Sequence, residues 1–241
     1  MIDRIQRGRF QIPVLYEDNH VLVVVKPPNL PTQADRSGDD DLLTLTRDYI
    51  RNKYQKPGNV YMGLVHRLDR PVGGVMVFAR TSKAASRLSE AFASHLQDRR
   101  YLAVLQGALT RPRTLEDVLL KDSRTGMVRV VPEGTPGGKA ARLLTTPLAL
   151  RNDLTLTEAK LYTGRAHQIR VQHAHMGYPL WGDARYGGGQ PGQQIALWAT
   201  TLRFRHPTRN ETLSFTAAPP NAAPWNYFQD IIEDRISHEP S

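Results

Sequence analysis

The sequence predicts one domain of mixed α and β structure. Short β-branched or alternating segments, which are typical of strands, occur along the same 241 residues as apolar positions at helical spacing. No repeat, low-complexity tract or strong linker divides the chain. We therefore expect a single domain over residues 1–241.

The first third of the chain predicts a hairpin, a helix and a buried strand. Residues 13–16 and 21–25 are apolar and flank a polar turn, which is a hairpin signal. Apolar positions at helical spacing predict a helix over residues 40–56, which Pro57-Gly58 ends. The apolar run 75–79 predicts a buried strand.

Patterns in the rest of the chain predict further elements and one irregular region, residues 108–145. Ser82 is a favourable helix N-cap, and Gly177 is a favourable helix end. In chain order we expect a helix at 82–97, a strand at 99–107, short strands at 127–131 and 140–146, a strand at 154–161, a helix at 166–176, a strand at 195–204 and a helix at 225–236.

Composition points to a polyanionic partner and excludes thiol chemistry. Lys and Arg total 32 against 23 Asp and Glu, a formal net charge of +9, which favours nucleic acid over a basic surface kept for solubility. The chain has no cysteine, so disulfides, Cys-ligated zinc, iron–sulfur clusters and thiol nucleophiles are excluded. The N-terminus lacks an apolar segment of signal-peptide length, which predicts a soluble, cytoplasmic protein with no membrane contact.

Four ionisable residues precede the strand at 75–79: His66, Arg67, Asp69 and Arg70. Pro71 and Gly73-Gly74 then shape the loop that leads into this strand. Nearby cations lower the pKa of a carboxylate and favour its ionised form. For Asp69 the candidate cations are Arg67 and Arg70, with the distant Arg165 or Arg170 as further candidates. Such a carboxylate serves as nucleophile, general base or stabiliser of positive charge. The alternatives are a structural ion pair or a solvated loop.

Other constellations are weaker. A two-carboxylate glycosidase needs a second acid, for which Asp183 in a glycine loop is the one candidate. His167, His173 and His175 lack the spacing of a metal site. Tyr101 after two arginines, and Trp181 and Tyr186 around Asp183, fit either base stacking or ordinary packing. No glycine-rich phosphate loop is present, so we expect no nucleotide cofactor.

Three separated motifs together resemble the RluA-type family of RNA pseudouridine synthases. His66-Arg67-Leu68-Asp69-Arg70 with Gly74 resembles the family's catalytic-aspartate motif. Tyr101-x-Ala103-x-x-x-Gly107 resembles its second motif, and the run from Thr163 to Val171 its third. Lys26-Pro27, Gly182-Asp183 with Tyr186-Gly187, and His206-Pro207 resemble further landmarks. The match covers about residues 13–217.

The resemblance implies a pseudouridine synthase fold: an α+β domain with a mixed, mainly antiparallel sheet, flanking helices and a central catalytic cleft. Many members carry a small, S4-like N-terminal RNA-binding domain. Because the match in this chain starts near residue 13, we expect the domain to be absent here. We therefore expect RNA to be held by the basic surface of the catalytic domain, which favours a stem-loop of tRNA or rRNA. A monomer fits the family.

The resemblance also implies a reaction, the isomerisation of uridine in RNA to pseudouridine without cofactor or metal. By similarity, Asp69 is the catalytic carboxylate; attack on the sugar, attack on the base and another route all stay open. Tyr101 stacks on the uracil and assists proton removal, and Arg170 pairs with Asp69. Arg67 fills the gap left by the flipped nucleotide, and Ile169 walls the pocket; His66 and Arg165 complete the substrate-binding residues.

Four positions depart from the family pattern. Val72-Gly73 replaces the usual Thr-Ser, so the loop beside Asp69 loses two hydroxyls. Asn29 replaces a glycine, and asparagine tolerates the left-handed backbone that such a turn needs. Ala166 replaces a threonine. The changed loop motivates a rival hypothesis, an RNA-binding assembly factor that has lost catalysis.

Overall fold

The computed structural model describes residues 3–238. Within this range it contains twelve strands, four α-helices and one 3-10 helix. The elements are, in chain order, β1 (Arg4–Arg7), β2 (Phe10–Glu17), β3 (Val21–Lys26), α1 (Leu42–Lys53), β4 (Gly63–Leu64), β5 (Gly73–Ala79), α2 (Ser82–Ala93), β6 (Asp98–Gln106), β7 (Arg113–Lys121), β8 (Val128–Val131), β9 (Lys139–Arg151), β10 (Leu154–Leu161), α3 (Gln168–His175), β11 (Leu197–Arg205), β12 (Thr212–Thr216), the 3-10 helix (Trp225–Phe228) and α4 (Gln229–Ser237).

The described chain forms two compact units. The first unit contains residues 3–97 and 201–217, and the second contains residues 98–200 and 218–238. The boundary at residues 200 and 201 falls within β11. The single catalytic domain expected from the sequence stays a prediction.

The first unit is built on antiparallel strands. β2 pairs with β1 and β3, and β3 pairs with β5 along its whole length, with Val21 opposite Ala79. Every residue of β5 is buried, and Val75, Val77 and Ala79 share a core cluster with residues of α2 and of the end of β11. The predicted hairpin and the predicted buried strand are confirmed.

Both helices of the first unit begin at a side-chain cap. Asp41 accepts from the Thr44 N–H ahead of α1, and Thr81, rather than the predicted Ser82, accepts from the Ala84 N–H ahead of α2. The predicted end of α2 at residue 97 is wrong. The helix stops at Ala93 because Ser94 caps it and His95 adopts a left-handed φ of 54°.

The second unit contains an antiparallel succession of strands in the order β6-β10-β9-β7-β8. β10 matches its predicted bounds. The prediction that residues 108–145 are largely irregular is wrong, because β7 spans nine residues and β9 spans thirteen. Leu115 and Leu119 are the two buried residues of β7, and they lie four positions apart. The strand therefore shows no simple alternation of apolar and polar residues in the sequence.

The helices of the second unit are shorter than predicted. α3 begins at Gln168 because His167 adopts a left-handed φ of 51°, and it is followed by Gly177 at a φ of 91°. The predicted C-terminal helix is divided into a 3-10 turn and α4.

The fold class is confirmed as α+β with mainly antiparallel strand pairing. The central catalytic cleft stays a prediction. In the part of the chain that the structure describes, every helix is too short or too polar to span a membrane.

Candidate active site

The segment that carries Asp69 is a tight turn between β4 and β5. The Val72 N–H donates to the Asp69 carbonyl at 2.9 Å, which closes a turn over Arg70 and Pro71. Immediately before it, the Thr32 hydroxyl donates to the Leu68 carbonyl at 2.8 Å. Leu68 and Val72 are buried on either side of the partly exposed Asp69. The backbone around this carboxylate is therefore fixed by the fold.

A buried lysine holds the same turn from within the first unit. The Lys26 ammonium donates to the carbonyls of Pro27 at 3.1 Å, Arg70 at 3.0 Å and Val72 at 2.6 Å, and its side chain is 0% exposed. Burial lowers the pKa of Lys26 to about 7, against the opposing effect of the nearby Asp69 charge. When protonated, Lys26 thus directs three donors and a positive charge at the turn.

Asn29 provides another support at a position where the family has glycine. Its φ is 64°, so it adopts the left-handed backbone, as the sequence predicted. Its N–H donates to the Arg70 carbonyl at 2.8 Å. Val72 and Gly73 lack the hydroxyls that the family has at these positions. Hydrogen bonds from the main chain and from Lys26 nevertheless hold the turn.

The charged neighbours of Asp69 point in different directions. Arg70 turns its guanidinium to Asp35, at 3.6 Å, and to Asp39, which corrects its predicted place as a cation for Asp69. Arg67 is exposed.

The ring of His66 is held within the first unit. His66 Nε2 accepts from the Val77 N–H at 3.1 Å, and the ring stacks on Phe92 with centroids 4.5 Å apart. Its predicted substrate-binding role stays a prediction.

Tyr101 lies on β6 in the second unit, opposite Ala159 of β10, and is 8% exposed. Ile169 and Arg170 lie in the first turn of α3, and both are buried. Arg165, which precedes α3, is half-buried, and its Nε donates to the Ala140 carbonyl at 2.9 Å.

Asp183 and Tyr186 position Arg170 within the second unit. Arg170 donates from Nε to Asp183 Oδ2 at 2.8 Å and from Nη2 to Oδ1 at 2.7 Å, a bidentate geometry. The guanidinium carbon lies 5.3 Å from the centre of the Tyr186 ring. The Tyr186 hydroxyl bonds His167 Nδ1 at 2.7 Å, and burial raises the pKa of Tyr186. The predicted pairing of Arg170 with Asp69 stays a prediction.

One glutamine shapes the turn that precedes α3. Gln168 Oε1 accepts from the Arg165 N–H at 3.0 Å and from the Thr163 hydroxyl at 2.8 Å, while its Nε2 donates to the Arg142 carbonyl at 3.1 Å. Because Gln168 is buried, these hydrogen bonds fix the path of residues 163–165. The third motif is therefore a rigid turn that leads into a short helix.

His173 of this unit has structural contacts. The His173 ring bonds the Ile169 carbonyl at 2.7 Å and Thr145 Oγ1 at 3.0 Å, and burial lowers the pKa of His173 to about 4. No group of three or more metal-ligating side chains is found among residues 3–238.

Comparison with known proteins decides the family. The family model described as RNA pseudouridylate synthase matches residues 20–175. This span contains all three motifs and every predicted site residue. The chain belongs to the RluA-type family of RNA pseudouridine synthases.

Named relatives agree with this assignment, which makes the chain an isomerase of this family. A Bacillus subtilis protein named uncharacterized RNA pseudouridine synthase YjbO is 35% identical over 216 residues, covering 87% of this chain and 73% of the relative. A Xanthomonas campestris protein named ribosomal large subunit pseudouridine synthase D is 34% identical over 225 residues, covering 86% of this chain and 66% of the relative. The chain therefore spans roughly two thirds to three quarters of these relatives.

Solved structures support the fold. Human RNA pseudouridylate synthase domain containing 1 matches with a TM-score of 0.70 and 22% identity, covering 95% of each chain. Human RNA pseudouridylate synthase domain containing 4 matches with a TM-score of 0.71 and 19% identity, covering 95% of this chain and 94% of that one. Both likenesses confirm the pseudouridine synthase fold.

Three side chains support the candidate site more than their sequence patterns indicate. Lys26 has one available signal, a lysine that ends an apolar strand before two prolines. Asp183 has another, an acid directly after a glycine in a basic chain. Gln168 carries no signal of its own, because its three partners are visible only once the turn is folded.

Proposed function

We propose that this chain isomerises specific uridines of structured RNA to pseudouridine, with large-subunit ribosomal RNA as the substrate favoured over tRNA. In this reaction the bond from uracil N1 to C1′ breaks and a bond from C5 to C1′ forms. C5 loses a proton and N1 gains one, so no oxidant, reductant or cofactor is consumed. Support for the ribosomal substrate comes from the names of relatives from Xanthomonas, Xylella and Yersinia, each called ribosomal large subunit pseudouridine synthase D.

The observation that carries the proposal is the turn around Asp69. Family membership supplies the reaction, and the turn supplies a single carboxylate on a backbone that Lys26, Asn29 and Thr32 hold. A fixed carboxylate loses little freedom when it meets a flipped nucleotide. Asp69 is therefore the catalytic carboxylate of our proposal, and its attack on sugar or base is left open.

The remaining roles follow the family motifs. Tyr101 stacks on the uracil and assists removal of the C5 proton, and Arg170 pairs with the catalytic carboxylate. Ile169 walls the base pocket, and Arg67, which is exposed, replaces the stacking of the flipped nucleotide. His66 and Arg165 complete the substrate-binding set.

RNA binding draws on the positive charge of the chain. A formal net charge of +9 favours phosphate contacts, and their affinity falls with added salt. Extruding the uridine costs a few kcal/mol, which favours a loop or a mismatched position as substrate. We propose a monomer that acts on a stem-loop in the cytoplasm.

The test uses RNA from cells that lack the gene. The RNA is incubated with the wild-type protein, Asp69→Asn or Asp35→Asn, and pseudouridine is then mapped by chemical labelling and sequencing. Asp35 provides the matched control because it is an exposed carboxylate of the same unit. We expect new sites with the wild type and Asp35→Asn, and none with Asp69→Asn.

Three outcomes each contradict a part of the proposal. New sites with Asp69→Asn at the wild-type level remove Asp69 from the chemistry. No new site with any protein, combined with tight binding of the same RNA, favours the assembly-factor hypothesis. New sites confined to tRNA would retain the enzyme and reject the ribosomal substrate.

A further inference from the structure

A groove of the first unit lies outside the segments that carry the predicted site residues. It has a volume of about 540 Å³. One wall is the second half of α2 with the chain that follows it, and the other is the end of β11 with the turn toward β12. Its lining residues are Arg87, Leu88, Ala91, Leu96, Gln97, Arg205, His206, Pro207, Thr208, Arg209 and Asn210.

The groove is lined by three arginines and by no carboxylate. Arg87 donates to the Pro207 carbonyl at 2.7 Å, and Arg205 donates to Asn210 Oδ1 at 2.5 Å, so the acceptor in each of these two contacts is uncharged. Arg209 pairs with Asp18 and with Glu211, at 3.0 Å, neither of which lines the groove. The lining therefore favours an anion.

A buried amide in this groove lacks partners. Gln97 is 6% exposed, and neither its Nε2 nor its Oε1 has a hydrogen-bond partner among the described residues. Unmade hydrogen bonds of a buried polar group cost free energy, which a ligand that bonds them recovers. One amide offers a donor and an acceptor side by side, the pair that reads a nucleobase edge.

Apolar side chains complete the lining. Leu88 is buried on α2, Pro207 lies opposite, and Leu96 is 78% exposed. An apolar wall beside arginines and an amide suits a flat base attached to a phosphate. The volume falls in the range of small-ligand sites.

We propose that this groove binds an unpaired nucleotide of the RNA, with the base edge on the Gln97 amide and the phosphates on the arginines. Adenine is the best match, because a glutamine amide bonds its N6 and N7 together. The inference rests on the proposed function for its ligand class, RNA. It adds a second contact that helps to select which uridine is presented.

The test measures binding to RNA that cannot be isomerised. Fluorescein-labelled octa-adenylate and an abasic oligomer of equal length are titrated by anisotropy, at one salt concentration, against the full chain. We expect the wild type to prefer octa-adenylate by about tenfold, the scale of one bidentate base contact. Gln97→Leu should abolish this preference and leave abasic binding unchanged.

A second variant covers the case in which Gln97→Leu does not fold. Leu96→Glu places a carboxylate at an exposed position of the groove, and Leu150→Glu makes the same change at a 50% exposed leucine of the second unit. We expect Leu96→Glu to weaken octa-adenylate binding at least fivefold by charge repulsion, and Leu150→Glu to change it less than twofold.

Several outcomes overturn the inference. Equal wild-type affinity for the two oligomers would leave only a phosphate-binding surface, and equal affinities of Leu96→Glu and Leu150→Glu would remove the groove from RNA binding. Self-association of the wild type that Leu96→Glu abolishes would assign the groove to a second copy. Gln97-dependent binding without any mapped pseudouridine would reject the proposed function and retain this inference.

Discussion

Arg170 and Asp183 form a buried bidentate ion pair, with their atoms 2.8 and 2.7 Å apart and side chains 8% and 1% exposed. Removing Asp183 takes the bidentate carboxylate partner away from a buried guanidinium, which is costly. Asp183 thereby links the glycine loop after α3 to the arginine of the third motif. It is a positioning residue in the proposed chemistry.

Asp183→Asn is expected to lower the free energy of unfolding by about 3 kcal/mol or more, because it keeps the shape and removes the charge. Urea denaturation measures this change. Arg151 and Asp230 supply the control, an equally bidentate pair that is exposed. Asp230→Asn should change stability little. If the two substitutions lower the free energy of unfolding equally, burial of the Arg170–Asp183 pair does not increase its contribution to stability.

Lys26→Met is expected to reduce both stability and activity. The change removes the donor shared by the carbonyls of Pro27, Arg70 and Val72, at a cost of about 3 kcal/mol, and loosens the turn of Asp69. Lys83→Met, at an exposed position of α2, is the control. Denaturation measures stability, and pseudouridine formation measures activity. A Lys26→Met protein that is as active as the wild type would contradict our account of the turn.

His173 makes stability depend on pH. Its pKa is about 4 in the folded chain against 6.5 when unfolded, so the unfolded chain binds the extra proton first. The contribution of His173 to the free energy of unfolding is therefore fully present above pH 6.5, and about 3 kcal/mol of it is lost as the pH drops to 4. Thermal unfolding across this interval should show a steeper loss for the wild type than for His173→Gln. Parallel curves would exclude His173 as the cause.

Gly188→Ala is expected to disrupt the loop that holds Asp183. A methyl group there would lie 1.8 Å from the Leu180 carbonyl oxygen, which belongs to rigid backbone. At Gly164 the nearest atom, at 2.9 Å, belongs to the flexible Arg99 side chain, so Gly164→Ala should unfold nearer to the wild-type temperature. Thermal melting compares the two variants. A smaller loss at Gly188 than at Gly164 would contradict this ranking.

Local patterns predicted much of the first unit and little of the middle of the chain. The β2–β3 hairpin, β5 and α1 were predictable because their apolar periods are uninterrupted. β7 was missed because Glu116 and Asp117 separate its buried positions, Leu115 and Leu119, so apolar and polar residues do not alternate along the strand. The register of β9 on β10 includes an irregularity between Leu156 and Thr157, which no alternation rule anticipates.

The candidate site was predictable in its motifs and not in its supports. Asp69, Tyr101 and Arg170 lie in three recognisable motifs, and the left-handed Asn29 follows from its side-chain chemistry. The bond from Lys26 to Val72 spans 46 positions of sequence. Contacts of that kind depend on the pairing of β3 with β5, so a linear pattern does not contain them.

The three carbonyls around Lys26 also explain why the residue there is lysine and not arginine. They converge on one nitrogen, and an ammonium directs three hydrogens from a single atom. A guanidinium spreads its donors over a flat fork that suits carboxylates and phosphates. Two cations of equal charge are thus chemically distinct at this position, and exchange between them is not conservative.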